Sequence, residues 1–263
     1  MLDDVIGHTE IKQSAIIAIE AAKFRKEPLG HILLVGQGGL GKTHFLKAIC
    51  KELGYKMFLT HGSHLPATDV HYYINKCCNE AFFSKSTAFI VIDEIHQLTL
   101  TAQEELYYVM DYNAVLDKKK NISIPLPPFT IAGATTCPKD LNQKSLVNRV
   151  SYTWTLEQMS DRDLMYVVNN YYLHNDIYSE ITTMQEIGKR SRGNPRLALK
   201  YAKRAMDYAH ANRRKIVHMQ DALKTFAEFG IDEMGLDRDQ RLYLKILLEN
   251  DGPVGIESLS MRL

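Results

Sequence analysis

The 263-residue chain has no apolar stretch approaching the ~18 residues that a membrane helix requires. An excess of either charge is missing too: 32 Lys and Arg stand against 31 Asp and Glu, a net charge of +1. No global basic field draws in nucleic acid, so any contact with DNA has to come from a local patch. Cysteine is scarce. Cys50, Cys77, Cys78 and Cys137 show no C-x-x-C spacing, and adjacent cysteines such as Cys77 and Cys78 rarely bridge each other, so all four read as reduced, mostly buried thiols. His61, His64 and His71 are the only clustered histidines, in what reads as a loop, and they are not read as a metal site. The segment Met1-Leu2-Asp3-Asp4 has neither the basic nor the apolar region of a signal peptide, and a soluble, cytoplasmic protein without a membrane partner is expected.

What the chain does have is a phosphate loop. Gly36-Gln37-Gly38-Gly39-Leu40-Gly41-Lys42-Thr43 fits G-x-x-x-x-G-K-[ST] and follows the apolar run His31-Ile32-Leu33-Leu34-Val35, so a strand feeds a glycine loop that opens a helix. Backbone N–H groups of such a loop and of the helix start converge on one point and suit a polyphosphate. Lys42 is expected to reach the β- and γ-phosphates of a nucleoside triphosphate, and Thr43 to place its hydroxyl on Mg²⁺.

Downstream, Ala88-Phe89-Ile90-Val91-Ile92-Asp93-Glu94 is an apolar run that ends in two acids. Continuous apolarity predicts a strand buried on both faces of a parallel sheet, and its carboxyl end is the edge where open α/β sheets bind ligands. A Mg²⁺ bridging two phosphates needs a carboxylate, and the attacking water needs a polarising base. Asp93 is assigned the first role and Glu94 the second. A second buried strand, Phe129–Thr136, ends in two hydroxyls that either sense the γ-phosphate, hold the water or merely cap the strand. Lys118-Lys119-Lys120 reads as a solvated turn, Asn142–Asn148 as a helix delivering Arg149, and Val150–Leu156 as a fifth strand. From Ser160 to Phe229 the pattern is helical, with breaks expected at Gly188 and at Gly193-Asn194-Pro195. The pairs Tyr72-Tyr73, Tyr107-Tyr108 and Tyr171-Tyr172 fall on helices, where one member of each is expected to pack inward. The fold class expected is α/β with a parallel sheet, followed by a helical domain.

Seven segments together resemble the RuvB family of AAA+ branch-migration motors. They are Leu2–His8, Gly36–Thr43, Val91–His96, Pro127–Thr136, Ser191–Arg196, Ile231–Asp237 and Gly252–Glu257, in the family's order and across nearly the whole chain. The resemblance implies an ATPase domain at 1–156, a helical lid at 157–232 and the start of a winged helix at 233–263, one that stops before its recognition helix and wing. It also implies that Thr136, with Thr135, is the phosphate sensor, that Arg149 is a finger offered to a neighbouring subunit, and that Arg196 reaches the nucleotide from the lid. Val5, Ile6, Gly38, Gly39, Leu40, Gly41 and His44 are implied to line the nucleotide beside Lys42 and Thr43. A hexameric homo-oligomeric ring acting on branched or duplex DNA follows from the same likeness. The hairpin by which the family docks onto RuvA is cut to a few residues around Lys118–Ser123, which leaves a RuvA-like partner open. Two other functions stay open at this point: a helicase-loader or clamp-loader-like ATPase, and an ATP-gated assembly module with little turnover.

Overall fold

The computed structural model of the chain describes residues 2–117, 120, 122–140, 146–250 and 255. The chain divides into two compact units, Met1–Glu157 and Gln158–Leu263.

The first unit is built on a five-stranded sheet of β1 (Ile32–Val35), β2 (Lys56–His61), β3 (Ala88–Asp93), β6 (Phe129–Thr135) and β7 (Tyr152–Thr155). Their order is β2-β3-β6-β1-β7, and every neighbouring pair runs parallel. The apolar strands are explained by burial on both faces, because successive side chains point to opposite sides. In β3, Ile90 and Ile92 feed the core under α3 (Val70–Phe83) and α4 (Leu100–Tyr112), whereas Phe89 and Val91 feed the core under α1 (Thr9–Arg25) and α2 (Lys42–Leu53). In β6, Ile131 faces the first core and Ala132 and Ala134 the second. Cys77 and Cys78 lie in one core and Cys50 in the other, and burial pushes their thiols up to about 11, 12 and 11 respectively. Cys137 is exposed.

Two strands flank the turn expected at Lys118-Lys119-Lys120, of which Lys120 is described and lies in a turn. β4 (Ala114–Asp117) and β5 (Ile122–Pro125) form a two-stranded antiparallel ribbon with Ala114 opposite Pro125 and Asp117 opposite Ile122. Its four-residue strands alternate too briefly to show in the sequence. Lys118, Lys119 and Asn121 lie outside the described residues. The ribbon is tied to the helices by His71 of α3. The ring's Nδ1 accepts the Leu116 amide at 3.0 Å, so the proton sits on Nε2, 3.1 Å from the Glu105 carboxylate of α4. Tyr108 of α4 packs on the His71 ring and donates its hydroxyl to Ser123 at 3.2 Å. Of the helix expected at Asn142–Asn148, 142–145 fall outside the described residues. Leu146 is buried, and its carbonyl accepts the Arg149 amide at 3.0 Å.

The second unit packs α5 (Asp161–His174), α6 (Ile181–Arg190), α7 (Pro195–Ala211) and α8 (Met219–Glu228) around one core. The two-residue strands β8 (Tyr178–Ser179) and β9 (Ile216–Val217) pair in parallel between them. Gly188 does not break a helix: it lies inside α6, where a Cβ would come within 2.8 Å of the Asp161 carbonyl of α5. Close helix contact, not chain reversal, explains that glycine. Tyr73, Tyr107 and Tyr172 turn inward relative to their neighbours, and Tyr107 and Tyr172 are buried. After these four helices comes α9 (Arg238–Leu248), started by a reciprocal cap between Asp237 and Gln240. The rest of the expected winged helix, 251–254 and 256–263, lies outside the described residues. No described helix is long and apolar enough to cross a membrane.

Candidate active site

In a parallel sheet all carboxyl ends share one edge, and the strand order decides what meets there. Here β6 lies between β1 and β3. Its end, Thr135-Thr136, is therefore set between the glycine loop after β1 and the acids after β3.

The loop leaves β1 and enters α2 through Gly41, whose φ of 88° is a backbone state that side chains resist. No side chain caps α2, as none caps α1, α3 or α6, but here the helix start is the end of the glycine loop. A helix start left to its own backbone donors, with its positive dipole end, fits a phosphate. A Cβ added at Gly38 or Gly41 would meet no atom within 4 Å, so there is room above the loop. Leu40 is buried and pins the loop from below, and Gly39 has φ 89°. Lys42 is only 6% exposed, and its ammonium donates to the Gly36 carbonyl at 2.7 Å and the Gln37 carbonyl at 3.2 Å. Its charge is thus folded onto the loop it is expected to leave for a phosphate.

Thr43 donates its hydroxyl to an Asp93 carboxylate oxygen at 3.4 Å, and the other Asp93 oxygen accepts the Glu94 amide at 3.1 Å. A hydroxyl and a carboxylate side by side are hard oxygen ligands of the kind Mg²⁺ takes alongside phosphate and water. The donor set fits that ion. Glu94 turns away from the strand in a left-handed conformation, φ 47° and ψ 51°. Its Oε2 accepts the Thr136 amide at 3.0 Å and the Thr136 hydroxyl at 2.9 Å, and lies 3.3 Å from His96 Nδ1. Burial pushes the Glu94 carboxyl up, but the Thr136 bonds and the charges of Lys42 and His96 outweigh it and hold the group below its ordinary value. It is ionised at neutral pH, as a base must be. His96 Nδ1 is also 3.0 Å from the Thr135 hydroxyl, which accepts the Cys137 amide at 3.1 Å. Sequence reasoning gave His96 no role. Its place three residues from Asp93, on the short helix Ile95–Gln97, was the only signal.

Residues 1–156 match the family described as the Holliday junction DNA helicase RuvB P-loop domain, and residues 161–232 match the RuvB AAA lid domain. The chain belongs to the RuvB family. It is 34% identical to the Holliday junction branch migration complex subunit RuvB of Pseudothermotoga lettingae, over 100% of this chain and 77% of that protein. The Acholeplasma laidlawii subunit of the same name is 36% identical over 98% of this chain and 77% of its own length. The solved Thermotoga maritima RuvB Holliday junction branch migration motor superposes with a TM-score of 0.83 at 30% identity, covering 99% of this chain and 83% of that one. The RuvB family is one of P-loop AAA+ ATPases, so nucleotide binding is a property of the fold.

The structure brings Lys42, Thr43, Asp93, Glu94 and Thr136 to one edge of the sheet. The turn Leu2–Asp4 packs on α2, with the Leu2 amide 3.4 Å from the Glu52 carboxylate, and leads into buried Val5 and half-buried Ile6. His44 is exposed on the first turn of α2. Arg149 is engaged apart from this cluster: Asp111 of α4 takes its Nε at 2.9 Å and Nη2 at 2.7 Å, over the Tyr107 ring. Arg196 stands in the second unit, the second residue of α7, its amide capped by Asn194 at 2.9 Å. Its guanidinium is exposed and bonds to no described side chain.

Proposed function

We infer that this RuvB-family chain hydrolyses ATP and couples the hydrolysis to branch migration of Holliday junctions in DNA recombination and repair. The observation that carries the reading is the Glu94 carboxylate held by the Thr136 amide and hydroxyl beside Asp93 and Thr43. Loop amides and Lys42 bind the phosphates. Thr43 and Asp93 would hold Mg²⁺, which would supply charge neutralisation at the phosphates. Glu94 orients and polarises the attacking water, and Thr136 keeps Glu94 facing that water while sensing the γ-phosphate. Val5, Ile6 and His44 line the nucleotide. Arg149 serves a neighbouring subunit's site in trans, and Arg196 serves its own from the lid. The chain is read as an ATPase domain over 1–156, a lid over 157–232 and the beginning of a winged helix from 233, assembled as a hexameric ring around branched or duplex DNA. The β4–β5 ribbon is the element that a RuvA-like partner would grip.

The test is a junction-migration assay with a labelled four-way DNA, run beside phosphate release. ATP-dependent strand movement is expected, and Glu94→Gln is expected to stop it while leaving ATP bound. ATP hydrolysis by the wild-type chain with no movement of the junction, alone or with a RuvA-like partner, would turn the reading toward a loader.

A further inference from the structure

Gln103, Tyr107 and Asp111 are spaced i, i+4 and i+8 on α4 and so share one face. The Gln103 amide donates to the Leu98 carbonyl at 3.0 Å, at the end of the short helix that follows Glu94. Its oxygen accepts the Tyr107 hydroxyl at 3.0 Å. Both side chains are buried, 4% and 7% exposed. The Tyr107 ring lies under the Arg149 guanidinium, 4.7 Å from its centroid, and one turn on, Asp111 takes the Nε edge of Arg149 with both carboxylate oxygens at 2.9 Å. A glutamine placed in an apolar core is costly unless both ends are bonded. An aspartate in the last turn of a helix faces the unfavourable end of its dipole. Two locally disfavoured residues on one face, with a tyrosine between them, converge on a single guanidinium.

We propose that Asp111 and Tyr107, with Gln103 fixing Tyr107 from behind, are positioning residues that orient Arg149 for delivery to the neighbouring subunit's ATP. The proposal rests on the reading of Arg149 as a finger acting in trans. Contact with both carboxylate oxygens fixes the guanidinium in its plane, and the ring beneath fixes its tilt. An arginine already oriented loses less rotamer freedom when it meets the charge developing on the phosphoryl group. The defect on losing the mount falls on turnover in the neighbour's pocket and spares ATP affinity.

The experiment mixes full chains. Arg149→Ala chains have a live pocket and no finger, and Lys42→Ala chains have a finger and a dead pocket. Phosphate release by the mixture above that of the separate chains, with mixed assembly confirmed by native mass spectrometry, is the control. Adding Asp111→Asn to the Lys42→Ala chain is expected to lower that release about tenfold or more at unchanged KM for ATP. Adding Asp111→Asn to the Arg149→Ala chain, where it has no finger to hold, is expected to change nothing. Tyr107→Phe in the Lys42→Ala chain keeps the ring, loses the tie to Gln103, and is expected to give a smaller loss. Equal losses in both Asp111→Asn arms would overturn the proposal and leave Asp111 a purely structural residue. A rise in release with the Asp111→Asn donor would overturn it in favour of a latch that withholds Arg149. A control with no rescue overturns the finger reading itself, and the proposal with it.

Discussion

Glu94 at the edge of the sheet and Asp221 in the helical unit are both carboxylates that burial pushes up and their partners pull below the ordinary value. They are held in different ways. Asp221, 2% exposed, takes both Arg214 terminal nitrogens at 2.9 and 3.0 Å and the His218 amide at 3.0 Å, inside the reciprocal cap that starts α8. Its backbone is ordinary helix and its charge is neutralised within the chain. Glu94 sits at φ 47°, a conformation costing about 1–2 kcal/mol for a residue with a side chain. Neutral donors of Thr136 hold it, its contacts gather on Oε2, and its side chain is 23% exposed. The helical unit pairs its buried acid within the chain, whereas the sheet edge holds its acid part-exposed at a strained backbone position, the pattern proposed above for a residue that serves a ligand.

If that contrast is right, substitutions at the two places fail differently. The largest effect is expected at the sheet edge and on function: Lys42→Ala abolishes ATP binding in calorimetry, while Glu94→Gln binds ATP and releases phosphate about 10²-fold or more slowly. Wild-type turnover from Glu94→Gln would break the comparison outright. Asp221→Ala comes next, with urea unfolding showing a loss of about 2–3 kcal/mol because a buried, bonded network is opened. Glu94→Gln should stay within about 1 kcal/mol in the same experiment. The reverse ranking would mean that the sheet-edge acid is the structural one.

Thr136→Val tests how Glu94 is held. A carboxyl with a lowered pKa adds stability that is present above its ordinary value of 4.5 and is lost as pH falls through the lowered one. Removing the Thr136 hydroxyl should therefore move the acid limb of the turnover profile upward, toward 4.5, and cut the plateau about tenfold. An acid limb that stays in place would remove Thr136 as the holder. The smallest effect is expected for Gly188→Ala. Its methyl group would press on the Asp161 carbonyl and cost the helical unit about 1–2 kcal/mol in a urea melt, with ATP affinity untouched.

Within both units the sequence discloses some of this architecture and hides the rest. The phosphate loop, β3 and β6 are legible because a strand buried on both faces is written as unbroken apolar residues, and because a glycine loop needs glycines at fixed places. The meeting of Lys42, Thr43, Asp93, Glu94 and Thr136 then follows from one parallel sheet with β6 between β1 and β3. Other features, besides the β4–β5 ribbon, were not legible. Gly188 carries the mark of a helix breaker, and only the approach of α5 shows that it is a packing residue. The β8 and β9 strands are two residues each, too short for any period. His96 bears on Glu94 through a one-turn helix whose geometry no pattern encodes. The partner of Arg149 lies 38 positions upstream, and only the folded chain identifies it as Asp111.

The small β4–β5 ribbon has a mechanical consequence. Through His71 and Tyr108 its two strands are bolted to α3 and α4 by hydrogen bonds at Leu116 and Ser123. The ties fall on the Leu116–Ser123 pair, next to the ribbon's turn, so the ribbon is held along its length against the two helices. α4 is capped by Thr99 at one end, next to the turn after Glu94, and carries Asp111 near the other. Tyr108 thus fixes the ribbon to the same helix that, through Asp111, holds Arg149.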